Sequence, residues 1–142
     1  MKSFRTTMAI LAGAGLASMS LLAACASSGA TPEQRLAAYQ AHASAPVKKI
    51  PYFNPIGWET IDDQHILVTM RPKEVWLMRL SGPCLDYDKG SPVLVISSSV
   101  GYVSSGFDRV STGSRISCLV EEIRQVDTMA MRAAREGQVP GT

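Results

Sequence analysis

The chain has 142 residues, with 14 lysines and arginines against 12 aspartates and glutamates, two histidines and three cysteines. That length holds one small domain plus terminal segments outside the fold, and excludes two domains. Lys2 and Arg5 stand in a segment expected to be removed, and without them acids and bases balance. A neutral chain of this kind excludes binding nucleic acid through bulk charge, and so few histidines and cysteines leave little material for metal or redox chemistry.

Residues 1–24 read as an export signal, because Lys2 and Arg5 make a positive start and residues 6–24 then carry no charge. The run is long enough to span a membrane. It holds Gly13, Gly15, Ser18 and Ser20, however, and ends in small residues, which suits a cleaved peptide better. Leu22-Ala23-Ala24-Cys25 resembles the lipobox of bacterial lipoproteins. The resemblance implies that the Cys25 thiol takes a diacylglyceryl group, that a peptidase cuts just before it, and that the new amine is acylated as well. Two or three acyl chains give a lasting anchor where one gives only marginal binding, at about 0.8 kcal/mol per buried methylene. The rival readings are a plain secretory signal cut after Ala24 and an uncleaved anchor. Ala26 follows the cysteine where retained lipoproteins carry Asp, so the same resemblance implies the periplasmic face of the outer membrane.

Residues 26–30 are small and polar, a short tether between lipid and domain. Thr31-Pro32-Glu33-Gln34 predicts a helix start, with Thr31 as N-cap, Pro32 at the first helical position and Gln34 completing a capping box. The helix runs to about Ala43, and its few apolar positions, Leu36, Ala37 and Tyr39, leave it loosely attached. Ser44-Ala45-Pro46 ends it. From there through Pro51 and Pro55 the chain reads as an extended linker, since the residue before each proline is pushed out of the helical region.

From Trp58 onward the signals are those of strands. Ile66-Leu67-Val68 and Val75-Trp76-Leu77-Met78 flank Arg71-Pro72-Lys73 and predict a hairpin, with Asp62-Asp63-Gln64 as turn material before it. Val93-Leu94-Val95-Ile96 reads as a strand buried on both faces or in a small barrel. Gly101-Tyr102-Val103 and Phe107-Asp108-Arg109-Val110 follow, split by Ser104-Ser105-Gly106. Residues 115–123 then alternate Ile116, Cys118 and Val120 against Arg115, Ser117 and Leu119, one face inward. Asp127 caps a last helix holding Met129 and Met131, with Gly137 as its stop. The expected fold is mainly β (α+β): a small antiparallel sheet or partly open barrel of about five or six strands, flanked by an N-terminal and a C-terminal helix. The expected organisation is a signal over 1–24, a lipidated tether, short helix and Pro-rich linker over 25–57, and a disulfide-bonded β domain with its helix over 58–142.

Several pieces recur in one order: Trp58 ahead of Asp62-Asp63, Trp76 in a strand leading to Pro83-Cys84, Gly106-Phe107-Asp108-Arg109-Val110, and Cys118 close to Glu121-Glu122-Ile123-Arg124-Gln125-Val126-Asp127. This order resembles a family of proteobacterial lipoproteins known as domain of unknown function 6491, over about half the chain. The resemblance implies a small secreted domain with a paired cysteine. It brings no activity, substrate or catalytic residue.

With Cys25 as the lipid attachment, Cys84 and Cys118 remain in an oxidising compartment, where an even remainder pairs; free thiols are the rival, and no Cys-x-x-Cys spacing supports a redox pair. A bond across 34 positions constrains the unfolded chain by roughly 3 to 4 kcal/mol. Asp86-Tyr87-Asp88-Lys89-Gly90 has the opening of a calcium loop but lacks the bidentate Glu, which favours a solvated turn. Asp62 and Asp63 suit a turn better than a carboxylate pair, because sequence neighbours point apart. Neither His42 nor His65 has ligand-spaced partners for zinc. Ser97-Ser98-Ser99 and Ser104-Ser105-Gly106 lack a Gly-x-Ser-x-Gly elbow. Trp58 and Trp76 fit a core better than a ligand groove.

The expectation is therefore a lipid-anchored periplasmic envelope protein that binds or builds and has no catalytic residue, metal or cofactor. Its expected partners are the membrane, through Cys25, and an envelope protein, with no nucleic acid. The rivals are a hydrolase of envelope polymers, marked by a cleft holding a carboxylate or histidine of perturbed pKa, and an inhibitor or accessory subunit, marked by an exposed apolar patch.

Overall fold

The structure, a computed structural model, describes residues 29–83, 85, 93–112 and 116–137. It opens on the predicted capping box. Gln34 N–H donates to the Thr31 hydroxyl at 3.3 Å, and Thr31 N–H donates to Gln34 Oε1 at 3.0 Å. Helix α1 (Pro32–Ala41) then stops at His42, whose N–H turns back to the Tyr39 carbonyl at 3.2 Å. No residue of α1 is fully buried.

The described strands are β1 (Lys49–Pro51), β2 (Gly57–Thr60), β3 (His65–Arg71), β4 (Glu74–Leu80), β5 (Val95–Ile96), β6 (Tyr102–Ser104), β7 (Arg109–Ser111) and β8 (Cys118–Val126), before helix α2 (Thr128–Gly137). Six of them form one antiparallel half-barrel sheet in the order β2-β3-β4-β8-β7-β5, while β1 and β6 make a two-stranded sheet of their own. The mainly β architecture with a helix at either end is as the sequence predicts.

The long central strands alternate as a sheet covered on both faces must. Ile66, Val68 and Met70 of β3 and Trp76, Met78 and Leu80 of β4 point into one core, which Ile50 of β1 and Val103 of β6 close from above. Leu67 and Leu77 point the other way and join Ile61, Val126 and Met131 of α2. Leu36 and Tyr39 of α1 pack partly on that second cluster. The hairpin between β3 and β4 turns at Pro72-Lys73, with Lys73 at φ 67°. Proline followed by a positive φ is the type II pattern, which favours glycine at the second position. α2 starts as predicted, because Asp127 Oδ1 accepts from Ala130 N at 2.9 Å.

Three expectations are corrected. The stretch read as a linker is extended but docked. Ser44 N–H donates to Gln125 O at 2.8 Å and Val47 N–H to Ile123 O at 2.9 Å, along the edge of β8 that β7 leaves open. β1 then pairs with β6, and Ile50 is 1% exposed. Proline is tolerated there because these are edge positions, which need fewer donors. The apolar run at 93–96 is not buried on both faces. β5 is a two-residue edge strand in which Ile96 is buried while Val95 is about half exposed, as is Val93 ahead of it. Ile116 precedes β8 and is exposed, so the inward alternation begins only at Cys118.

Candidate functional site

Cys25, Cys84 and the Asp86–Gly90 segment lie outside the described residues. Cys118 opens β8, 7% exposed, with its sulfur 3.3 Å from the Gly82 carbonyl oxygen. Gly82 stands two positions before Cys84. The neighbouring backbone is held in place by Ser81, whose N–H donates to Leu119 O at 3.0 Å and whose hydroxyl accepts from Leu119 N at 3.1 Å.

Asp62 works within a turn. Its Oδ1 accepts the N–H groups of Gln64 at 2.8 Å and His65 at 2.7 Å, and the His65 ring nitrogen Nδ1 lies 2.8 Å from the same oxygen. Asp63 beside it is exposed. The two carboxyls are not a pair, as the turn reading predicts. Trp76 is core, with its indole N–H donating to Glu74 Oε1 at 3.1 Å. Trp58, paired across the strands with Val68, is instead half-buried, stands outside both core clusters and lines a cavity with Tyr39 and Leu67, so the core expectation holds for only one of the two.

A second carboxylate cluster was not read from the sequence as a unit. Asp108 is 1% exposed. Its Oδ2 accepts from Ser104 N at 2.7 Å, and its Oδ1 accepts from the hydroxyls of Ser97 at 3.1 Å and Ser99 at 3.5 Å. The Ser97 hydroxyl in turn accepts from Arg109 N at 2.8 Å. A buried carboxylate is tolerable only when its oxygens are bonded in this way. The cluster thus ties β5, β6 and β7 together at the turn Ser105-Gly106-Phe107. Among the described contacts no histidine reaches the cluster, and the carboxylate that accepts from the serine hydroxyls is itself held by the Ser104 N–H. The signal in the sequence is a pair of charged residues between Phe107 and Val110, without the long-range partners that explain Asp108.

A concavity of about 580 Å³ lies on the helix side of the sheet. His42 at the end of α1, Ser44, Lys73 in the hairpin turn, and Asp127 and Thr128 at the start of α2 line it. Asp127 is committed to capping α2, and Lys73 is in no ion pair among the described residues. The cleft offers an ammonium, an imidazole and hydroxyls, a set that fits a polar or anionic group rather than one that pairs a nucleophile with its base. Among the described residues no group of three or more His, Cys, Asp or Glu is placed to hold a metal ion. No described helix is long and apolar enough to cross a membrane.

Among the described residues two carboxyls are held below their usual value. Glu122 accepts from Arg124 Nε at 2.6 Å, which is the main cause of its lowering. Glu33 sits in the first turn of α1, where its own backbone N–H and then Thr31 stabilise the charged form.

Fold and cleft together define a small six-stranded half-barrel domain with two helices laid across one face. The chain belongs to the family described as Family of unknown function (DUF6491), whose pattern matches residues 7–140. That span takes in nearly the whole chain, more than the half on which the sequence resemblance rested. No curated protein and no solved structure matches it.

Proposed function

We propose that this protein is lipid-anchored through Cys25 on the periplasmic face of the bacterial outer membrane, and that it serves there as a binding or accessory module without catalysis. In this reading residues 1–24 are removed and Cys84 is bonded to Cys118. The single observation that carries it is Leu22-Ala23-Ala24-Cys25 at the end of an uncharged run. The fold supports it, since the first helix begins at Pro32 and the six residues from Cys25 to Ala30 reach at most about 20 Å, which keeps the domain close to the lipid. The absence of catalysis is supported by Asp62 and Asp108, whose oxygens are engaged in local structure, by backbone N–H groups and the His65 ring at Asp62 and by the Ser104 N–H and the Ser97 and Ser99 hydroxyls at Asp108. The pairing of cysteines is supported by the buried sulfur of Cys118, which lies 3.3 Å from the carbonyl oxygen of Gly82, two positions before Cys84.

Palmitate labelling tests the anchor. The protein should take up label, Cys25→Ser should not, and the mature chain should begin at Cys25. Label in the Ser variant, or a mature chain starting elsewhere, removes the reading. Peptide mapping without reduction should recover Cys84 and Cys118 in one linked fragment, and two free thiols would refute the pair.

A further inference from the structure

The small β1–β6 sheet turns one face to the core and the other to solvent. Ile50 and Val103 point inward, while Lys49 and Tyr102 lie outside. Its outer side sets an exposed aromatic ring beside a cation. Tyr102 is 43% exposed, with the Lys49 ammonium 4.9 Å from its ring centroid. Phe107 lies in the turn after β6 and is 70% exposed, and Ser105 N–H in that turn donates to Lys48 O at 2.9 Å. At the opposite end Tyr52 N–H donates to Gly101 O at 2.8 Å, which brings Phe53 beside the tip, under the Arg71 guanidinium at 3.5 Å.

The tip itself is unusual. Ser99 and Tyr102 exchange both backbone hydrogen bonds across Val100 and Gly101, a two-residue turn that needs positive φ at both central positions. Glycine or asparagine serves there at little cost, yet the first position is Val100, at φ 56° and 96% exposed. A β-branched residue in the left-handed region is strained, and full exposure gives it no burial in return. Packing of this fold does not account for it.

Charge selects the occupant. Residues 93–107 carry no charged side chain, and residues 42–58 carry Lys48 and Lys49 with no carboxylate. Neither lysine is in an ion pair among the described residues. Aromatic and aliphatic side chains projecting from two segments that carry cations and no carboxylate are what an anionic lipid surface receives, with apolar tips entering the headgroup boundary and ammonium groups meeting phosphates. We propose that this face, led by Val100 with Tyr102, Phe53 and Phe107, docks the domain onto anionic lipid. The contact deepens the anchored reading above and does not depend on acylation itself, because the residues that make it belong to the fold.

The test uses the full chain reconstituted in phosphatidylglycerol and phosphatidylethanolamine vesicles, with a spin label at Val100→Cys and, separately, at Arg132→Cys on α2. The label at 100 should lose accessibility to a water-soluble nickel relaxant and gain it to oxygen, while the label at 132 stays open to nickel. Phosphatidylcholine vesicles, or Lys48→Glu with Lys49→Glu, should abolish the protection. Equal nickel access at 100 and 132 overturns the proposal. Protection that survives both charge reversals, or that arises without vesicles as protein concentration rises, also overturns it, in favour of a protein neighbour or a second copy. Acyl mass on Cys25, read from the same samples, reports separately on the anchor. Thermal unfolding of each labelled chain confirms that it is folded.

Discussion

The two faces of the half-barrel are built from neighbouring residues of the same strands but to different standards. On one face Val68, Met78, Val103, Val110, Val120 and Ile123 reach 0% exposure beneath the β1–β6 sheet. On the other, two helices rest on Leu67, Leu77 and Val126, α1 buries no residue fully, and open cavities lie around Tyr39, His42 and Met131. The contrast separates tasks. The first face supplies stability and a unique register, and the second leaves space in which a ligand or partner can fit without disturbing the sheet.

Adjacent positions of β4 give the sharpest challenge to this division. Met78→Ala should cost about 4 kcal/mol and Leu77→Ala about 2 to 3 kcal/mol by denaturant unfolding, because the helix-covered side can collapse around a void. Equal losses would dissolve the distinction. Asp108→Ala should cost about 2 kcal/mol, leaving the Ser104 N–H and the Ser97 hydroxyl without their acceptor on the well-packed side. Thr31→Ala should cost only about 1 kcal/mol or less. Its effect should appear as faster hydrogen exchange in α1 with the amides of β3 and β4 unchanged, and protection lost across the sheet would show that α1 is integral to the fold.

The smallest effect concerns acid. Glu122 is held below the ordinary value of 4.5 by its bond from Arg124. A carboxyl with a lowered folded pKa stabilises above its unfolded pKa, and that stabilisation is lost as pH falls through the folded one. Glu122→Gln should therefore flatten the decline in stability below pH 4.5, by at most ~1 kcal/mol for a pair this open to solvent. An unchanged acid slope would place the sensitivity elsewhere.

Local chemistry was legible in the sequence where one short segment contains its own explanation. The capping box at Thr31, the Asp127 cap and the Pro72 hairpin each need residues only a few positions apart. Long-range pairing was not legible. Pro46, Pro51 and Pro55 make 44–55 read as a linker, and only the open edge of β8 and the partner strand β6 reveal it as part of the sheet system. The Val93–Ile96 run has the composition of a central strand but takes an edge position, since hydrophobicity does not say which strands lie beside it. The cleft joins positions 42, 73 and 127, so no window of sequence holds it. Asp108 was visible only as a motif letter, because Ser97 and Ser99 stand a whole hairpin away.

The seam where residues 42–47 lie along β8 also sets how the molecule bears a load. A pull on the chain from its N-terminal side meets α1 first, which is held by surface packing and peels away readily. The next resistance is the set of backbone bonds from Ser44 and Val47 to β8 and from Asp127 to His42. Because β8 pairs with β4 along its other edge, tension arriving there is shared with the innermost strands of the sheet. The seam thus works as a strain relief, sparing the core while the helix gives way.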